Sequence, residues 1–168
     1  ETVAVIGAGT MGAGIAGEFA RAGCSARLTD TGEDALERGM GMARIAQDAL
    51  VREKLATRRS AAAAMKRIEA TTDLAAACRG AHLLVEAVPE DLALKRQMFA
   101  DFDALCPKGA ILATNTSGLS VTKIAEATKR PARGAGMHFW NPPHVVPLVE
   151  VVKGEKTTQE TTDLIVEL

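Results

Sequence analysis

The sequence predicts an α/β domain: a mainly parallel, doubly wound sheet with an antiparallel edge and one long helical excursion. Three observations carry this. Short apolar runs alternate with longer helical patterns along the whole chain, as they do where crossover helices join parallel strands. One run, HLLVEAV at 82–88, is almost continuously apolar, as strands covered on both faces are. Near the end, two apolar segments flank a Pro-Pro turn at 142–143 and pair antiparallel across it.

Each element follows in order. TVAVI at 2–6 is the first strand, 7–10 a turn and 11–22 a helix. A second strand at 26–29 precedes a long proline-free helical pattern from 32 to about 57. SAAAAMK at 60–66 either extends that helix or starts a short one, and 68–71 is a short strand. After the strand at 82–88, residues 91–105 are helical, with Leu92, Leu94, Met98, Phe99 and Leu105 as apolar positions. Residues 110–114 form a strand, 120–128 a helix, 134–140 a strand and 148–152 the last strand. The final segment opens a helix with a capping box of Thr157 and Glu160. It stops at Leu168 within the apolar pattern DLIVEL, so the natural protein is expected to continue.

A chain of 168 residues suits one domain with one good core. With 47% apolar and 24% charged residues, it has the composition of a soluble globular protein. A formal charge of −1 argues against nucleic acid or an anionic membrane as partner. The 3% aromatic content argues against base-stacking platforms. Cys24, Cys78 and Cys106 are odd in number, far apart and never C-x-x-C. They read as small buried residues in a reducing compartment, not as a disulfide frame or zinc site. No apolar run approaches the about 18 residues of a membrane span, and no signal peptide is visible. The expected location is the cytoplasm.

The segment VIGAGTMGAGIA sets Gly7, Gly9 and Gly12 as G-x-G-x-x-G between a strand and a helix. The first glycine allows the tight turn, the second lets backbone approach a pyrophosphate, and the third lets helix and strand pack closely. The helix N-terminus offers free N–H groups to the phosphates, and Thr10 and Met11 lie within the same turn as further cofactor contacts. Asp30 ends the second strand at about the 20-residue distance of a ribose acceptor. Its carboxylate repels a 2′-phosphate, and Thr31 and Gly32 follow where an arginine would accommodate one. The expected fold is Rossmann-type and the expected cofactor NAD.

In MHFWNPPHVVPLVEVV, His138 and Glu150 stand on either side of the turn. A register centred on His144 sets them opposite each other on one face; a slip of one residue separates them. Histidine suits proton transfer because its ordinary pKa of about 6.5 lies near neutrality. A carboxylate on the other ring nitrogen fixes its tautomer. His144 lacks a third ligand for a metal, and His82 is a strand-boundary residue. Glu86, the polar break in LLVEAV, either lines the cofactor cleft or is structural. Met40 and Met42 are packing or groove residues.

Beyond the glycine turn, the segments LLVEAVPEDLALK, ATNTSGLSVTKIA and GMHFWNPPHVVPLVEVV resemble the NAD-binding domain of the L-3-hydroxyacyl-CoA dehydrogenases, over nearly the whole chain. The resemblance implies His138 as catalytic base and Glu150 as the acid that orients it. It implies Ser117 and Asn141 as contacts to both substrate and nicotinamide, and Glu90 and Lys95 as further cofactor contacts. A serine that helps hold coenzyme A in the family is replaced by Ala46. A neighbouring lysine position falls on Glu53, with Lys54 beside it as the expected substrate contact. The implied activity is oxidation of an acyl-CoA substrate, an L-3-hydroxyacyl-CoA such as 3-hydroxybutyryl-CoA, to the 3-oxoacyl-CoA. The implied organisation is a fragment, 1–168, whose absent C-terminal helical domain makes the full protein a homodimer. Two alternatives stay open: a dehydrogenase of a free 3-hydroxy acid, carnitine- or gulonate-like, and a non-catalytic NAD-binding module.

Overall fold

The computed structural model describes residues 1–167. Among them, seven strands form one sheet: β1 (Thr2–Ile6), β2 (Ser25–Thr29), β3 (Ile68–Thr71), β4 (Leu83–Glu86), β5 (Ile111–Thr114), β6 (Gly134–Phe139) and β7 (Val149–Lys153). Their order is β3-β2-β1-β4-β5-β6-β7. Every pair is parallel except β6 with β7. The order reverses between β1 and β4, which opens a crevice beyond the carboxyl ends of those strands.

The helices are α1 (Thr10–Arg21), α2 (Glu33–Arg52), α3 (Arg58–Met65), α4 (Leu74–Cys78), α5 (Leu92–Leu105), α6 (Val121–Ala125) and α7 (Gln159–Glu167). They cover both faces of the sheet, so the strands are apolar on both. Val3, Val5, Leu83 and Val85 pack on one side with Ile15 and Phe19 of α1. Ala4, Ile6 and Leu84 pack on the other with Phe99 and Phe102 of α5. The alternation along β1 is the two-residue period of a strand, with apolar residues at both phases. All three cysteines are buried and free. Among the described residues, no helix is long and apolar enough to cross a membrane.

The structure departs from expectation at five places, one of them the helix expected over 120–128, which covers only Val121–Ala125 as α6. The long helical pattern ends at Arg52, not near 57. Lys54 there takes a left-handed conformation, φ 61°. Leu55 N–H donates to Leu50 O (2.9 Å) and Lys54 N–H to Val51 O (3.1 Å). That is a Schellman ending with lysine in the place glycine usually holds, so no composition signal marks it. The segment 60–66 belongs to a separate helix, α3, capped by Thr57 with Ser60.

Secondly, α4 was not anticipated; Asp73 caps it by accepting from Ala76 N–H. Thirdly, the apolar run 82–88 stays in the sheet only over Leu83–Glu86. Lastly, the cap of α7 is shifted by one residue. Thr158 Oγ1 accepts from Thr161 N–H, while Thr157 Oγ1 accepts from Gly154 N–H and Glu160 pairs with Arg133.

Glycine in place of Lys54 removes the left-handed penalty of about 1 kcal/mol, partly offset by a more flexible unfolded chain. Lys54→Gly is expected to stabilise the protein by about 0.5–1 kcal/mol, read as a higher urea midpoint. A lower midpoint would contradict the cap.

Candidate functional site

The glycine turn is built by three different constraints. Gly7 has φ 101°, and a Cβ on it would lie 2.8 Å from Ala87 O. On Gly12 a Cβ would lie 1.7 Å from Gly7 O, so helix and turn touch there. Around Gly9 nothing lies within 4 Å of that position: its bareness faces open space, room for a ligand rather than for protein. Gly9 is also the N-cap of α1 and makes no side-chain cap bond, which leaves N–H groups of the first turn free.

Asp30 serves this turn directly. Its Oδ2 accepts from Ala8 N–H (2.7 Å) and its Oδ1 from Thr31 N–H (2.7 Å). Oδ1 also takes the Thr31 hydroxyl (3.4 Å), while Oδ2 keeps a further lone pair for a ligand hydroxyl. Gly7, Gly9, Thr10, Met11, Asp30 and Pro89 line a cleft of about 670 Å³. An open cradle over Gly9 with an acid at its end fits an elongated dinucleotide. Met42 touches the turn by accepting from Thr10 Oγ1 through sulfur (3.8 Å), and Met40 packs on the core.

A second cavity of about 460 Å³ holds Ser117, His138, Asn141, Glu90, Lys95 and Trp140. It shares Met11, Ala87 and Val88 with the first, so the two hollows meet at that wall. In the β6–β7 register His138 lies opposite Glu150, and its Nδ1 is 2.8 Å from Glu150 Oε2. Nε2 is then the nitrogen left to meet a ligand. The hydrogen bond from His138 holds the Glu150 carboxyl below its ordinary pKa, with a smaller contribution from Trp140. Asn115 Oδ1 accepts from Phe139 N–H (2.8 Å) and so ties the end of β5 to the strand that carries His138.

Lys95 is 1% exposed, and its donors are engaged. Nζ donates to Glu86 Oε1 (2.6 Å) and Val88 O (3.0 Å), and lies 3.5 Å from Glu90 Oε2. Glu86, fully buried, also accepts from Val88 N–H and Thr114 Oγ1, each at 2.7 Å. Glu86 is therefore structural and does not line the cleft. Glu90 Oε1 accepts from Thr116 Oγ1 and from Gly118 N–H, spanning the loop that carries Ser117. Burial pushes the Glu90 pKa up, but Thr116, Gly118 and Lys95 together outweigh it and the net shift is down.

Sequence reasoning missed Thr114, Asn115 and Thr116 as supports; the polar run TNTS following a strand was the available signal. Lys54 sits in the turn after α2 and lines neither cavity. Ala46 is buried, 7% exposed, and offers nothing to a ligand outside. The basic side chains of this region, Arg44, Arg52, Arg58 and Lys66, gather instead around a hollow between α2 and α3.

Residues 2–168 match the family model described as 3-hydroxyacyl-CoA dehydrogenase, NAD binding domain. The chain is 36% identical over 168 residues to 5-formyl-3-hydroxy-2-methylpyridine 4-carboxylate 5-dehydrogenase of Mesorhizobium japonicum, covering 100% of this chain and 53% of that protein. It is 42% identical over 169 residues to 3-hydroxyadipyl-CoA dehydrogenase of Escherichia coli K12, covering 100% of this chain and 35% of the relative. The crystal structure of 3-hydroxybutyryl-CoA dehydrogenase from Escherichia coli K12 superposes with a TM-score of 0.94 at 40% identity, over 99% of this chain and 35% of that one. The chain thus spans between about a third and about half of these relatives' lengths.

Two tests address the supports. Glu86→Ala leaves a buried ammonium with only the part-exposed Glu90, 3.5 Å away, as counter-charge, and a loss of about 3–5 kcal/mol in unfolding free energy is expected; a loss under about 1 kcal/mol would contradict the pairing. Because the Glu90 pKa is lowered on folding, its stabilisation is complete above the ordinary glutamate value of about 4.3 and lost as pH falls through its own lower value. The urea-midpoint difference between wild type and Glu90→Gln should therefore be present at pH 7 and shrink in acid below about pH 4. A difference that grows in acid would reverse the assignment.

Proposed function

The chain belongs to the 3-hydroxyacyl-CoA dehydrogenase family and carries its NAD-binding domain, and on that premise we propose that the whole protein oxidises an L-3-hydroxyacyl-CoA to the 3-oxoacyl-CoA, with short chains such as 3-hydroxybutyryl-CoA as substrates. The observation that carries this reading is the His138–Glu150 contact of 2.8 Å, opening on a cavity that meets the glycine-turn cleft at Met11, Ala87 and Val88. Both substrates of a dehydrogenase need such adjoining rooms.

Oxidising a secondary alcohol removes a hydroxyl proton and a hydride from carbon. When bound, NAD supplies the hydride acceptor. His138 takes the hydroxyl proton at Nε2, while Glu150 at Nδ1 holds the ring's tautomer and stabilises the imidazolium. Ser117 and Asn141, on loops past the ends of β5 and β6, hydrogen-bond the substrate oxygen and set its carbon against the nicotinamide. Gly7, Gly9, Thr10, Met11 and Gly12 cradle the pyrophosphate. Asp30 takes the ribose hydroxyls and disfavours a 2′-phosphate, while Glu90 borders the nicotinamide side with Lys95 behind it. Lys54 meets the coenzyme A portion from the end of α2. In this reading 1–168 is the NAD-binding domain, and a helical C-terminal domain closes the substrate cavity and pairs two copies into a homodimer. The three buried, free cysteines accord with a cytoplasmic protein.

A second reading, a dehydrogenase of a free acid, is favoured by Ala46, a buried apolar side chain at the position where the resemblance places a serine for coenzyme A. The pyridine carboxylate in the name of the Mesorhizobium relative also favours it. Parallel assays of the full-length protein with acetoacetyl-CoA and acetoacetate, followed by NADH absorbance, separate the two. Glu150→Gln in the same protein should keep NAD affinity within about twofold and lower kcat by about two to four orders of magnitude. Undiminished turnover would remove the pair from the mechanism.

A further inference from the structure

Gly14 lies in α1, past the three glycines of the fingerprint. Glycine inside a helix is less stable than alanine, and this one lies outside the G-x-G-x-x-G pattern. Its surroundings do. A Cβ on Gly14 would lie 3.0 Å from both Cδ and Cγ of Pro143 and 3.6 Å from its Cβ. The proline ring rests on the helix at a place where α1 has no side chain.

Pro143 is the buried member of a turn whose neighbours Asn141, Pro142 and Val145 are exposed. The turn holds itself together. Val145 and Val146 N–H both donate to Pro142 O, at 3.0 Å each, and Trp140 N–H donates to Leu148 O at 3.4 Å. A segment bonded in this way shifts as a unit, and Asn141 shifts with it. Farther along α1, the Phe19 ring meets Phe139 at 6.0 Å between centroids, edge to face. The helix that follows the glycine turn thus holds the β6–β7 edge at two points, and Gly14 sets the one nearer the glycine turn.

We infer that Gly14 is a positioning residue: by admitting Pro143 against α1, it sets the distance between the glycine turn and the turn carrying Asn141. This rests on the dehydrogenase reading above. An alanine methyl at 14 must be met by a few tenths of an ångström of movement. The helix backbone and a proline ring are both stiff, so the turn moves outward. Misplacement well under 1 Å in a two-substrate site is sufficient for roughly a tenfold loss of rate, since about 1 Å can cost 10²-fold.

The test uses the full-length protein with four forms: wild type, Gly14→Ala, Pro143→Ala and the double variant. Gly14→Ala is expected to lower kcat about tenfold while the NAD dissociation constant stays within about twofold. A merely structural defect would not produce that split. In the double variant the smaller residue at 143 makes room, and kcat should return to the level of Pro143→Ala alone. Wild-type kcat in Gly14→Ala, or strictly additive losses in the double variant, would overturn the inference. Thermal stability of the same four forms reads the contact without any turnover: non-additive Tm changes support it and additive ones overturn it. A wild-type protein inactive on both acetoacetyl-CoA and acetoacetate would sink the dehydrogenase reading, while the stability cycle still decides whether positions 14 and 143 are coupled.

Discussion

The buried pairing of Lys95 with Glu86 is the contact on which the site's architecture depends. Bringing an ammonium and a carboxylate out of water costs several kcal/mol per ion, and that cost is offset only where every remaining donor and acceptor finds a partner. Here they do. The ammonium also reaches Val88 O and Glu90, and the carboxylate also takes Val88 N–H and the Thr114 hydroxyl. Both backbone groups of Val88 are thereby held by one charge pair. Val88 belongs to the wall shared by the two cavities, so a charge pair with almost no exposure of its own shapes the place where they meet.

The pair of His138 and Glu150 follows a different logic. Glu150 is half exposed, and an ion pair in that setting contributes little to stability. Its value is directional. The antiparallel edge sets residues twelve apart in the chain face to face, and the two-residue period of a strand puts both side chains on one surface. Surrounding groups then stiffen the arrangement: Asn115 fixes the backbone after His138, and Glu90 steadies the loop of Ser117 through Thr116 and Gly118. Rigid supports around the groups proposed to do the chemistry are what a preorganised site requires.

Much of this was legible in the residues. The strand–glycine–helix start, the alternation of apolar runs with helical patterns and the parity of 138 with 150 about 144 are all local or near-local signals, and the sheet honours them. Elements failed where the local signal was too weak to read or the deciding contact lay elsewhere. The end of α2 rests on a lysine in a glycine-type backbone state, which composition does not flag. Asp73 caps a helix of only five residues, too short for periodicity to register. Thr157 resembles a helix cap, yet its hydroxyl is drawn instead to Gly134 O and Gly154 N–H across the sheet's end.

The sequence by itself determined the class of fold, the glycine turn with its acid at Asp30, and the facing of His138 and Glu150. Each depends on steric rules or periodicities that act over a few residues or one turn. Only the tertiary structure decided that Glu86 is sealed inside with Lys95, that Glu90 spans the loop of Ser117, and that Pro143 lies on Gly14. Those contacts join residues from separate elements, between 9 and 129 positions apart for the pairs Glu86–Lys95 and Gly14–Pro143. Which side chains meet across such intervals is set by how whole strands and helices pack, and no local pattern encodes it.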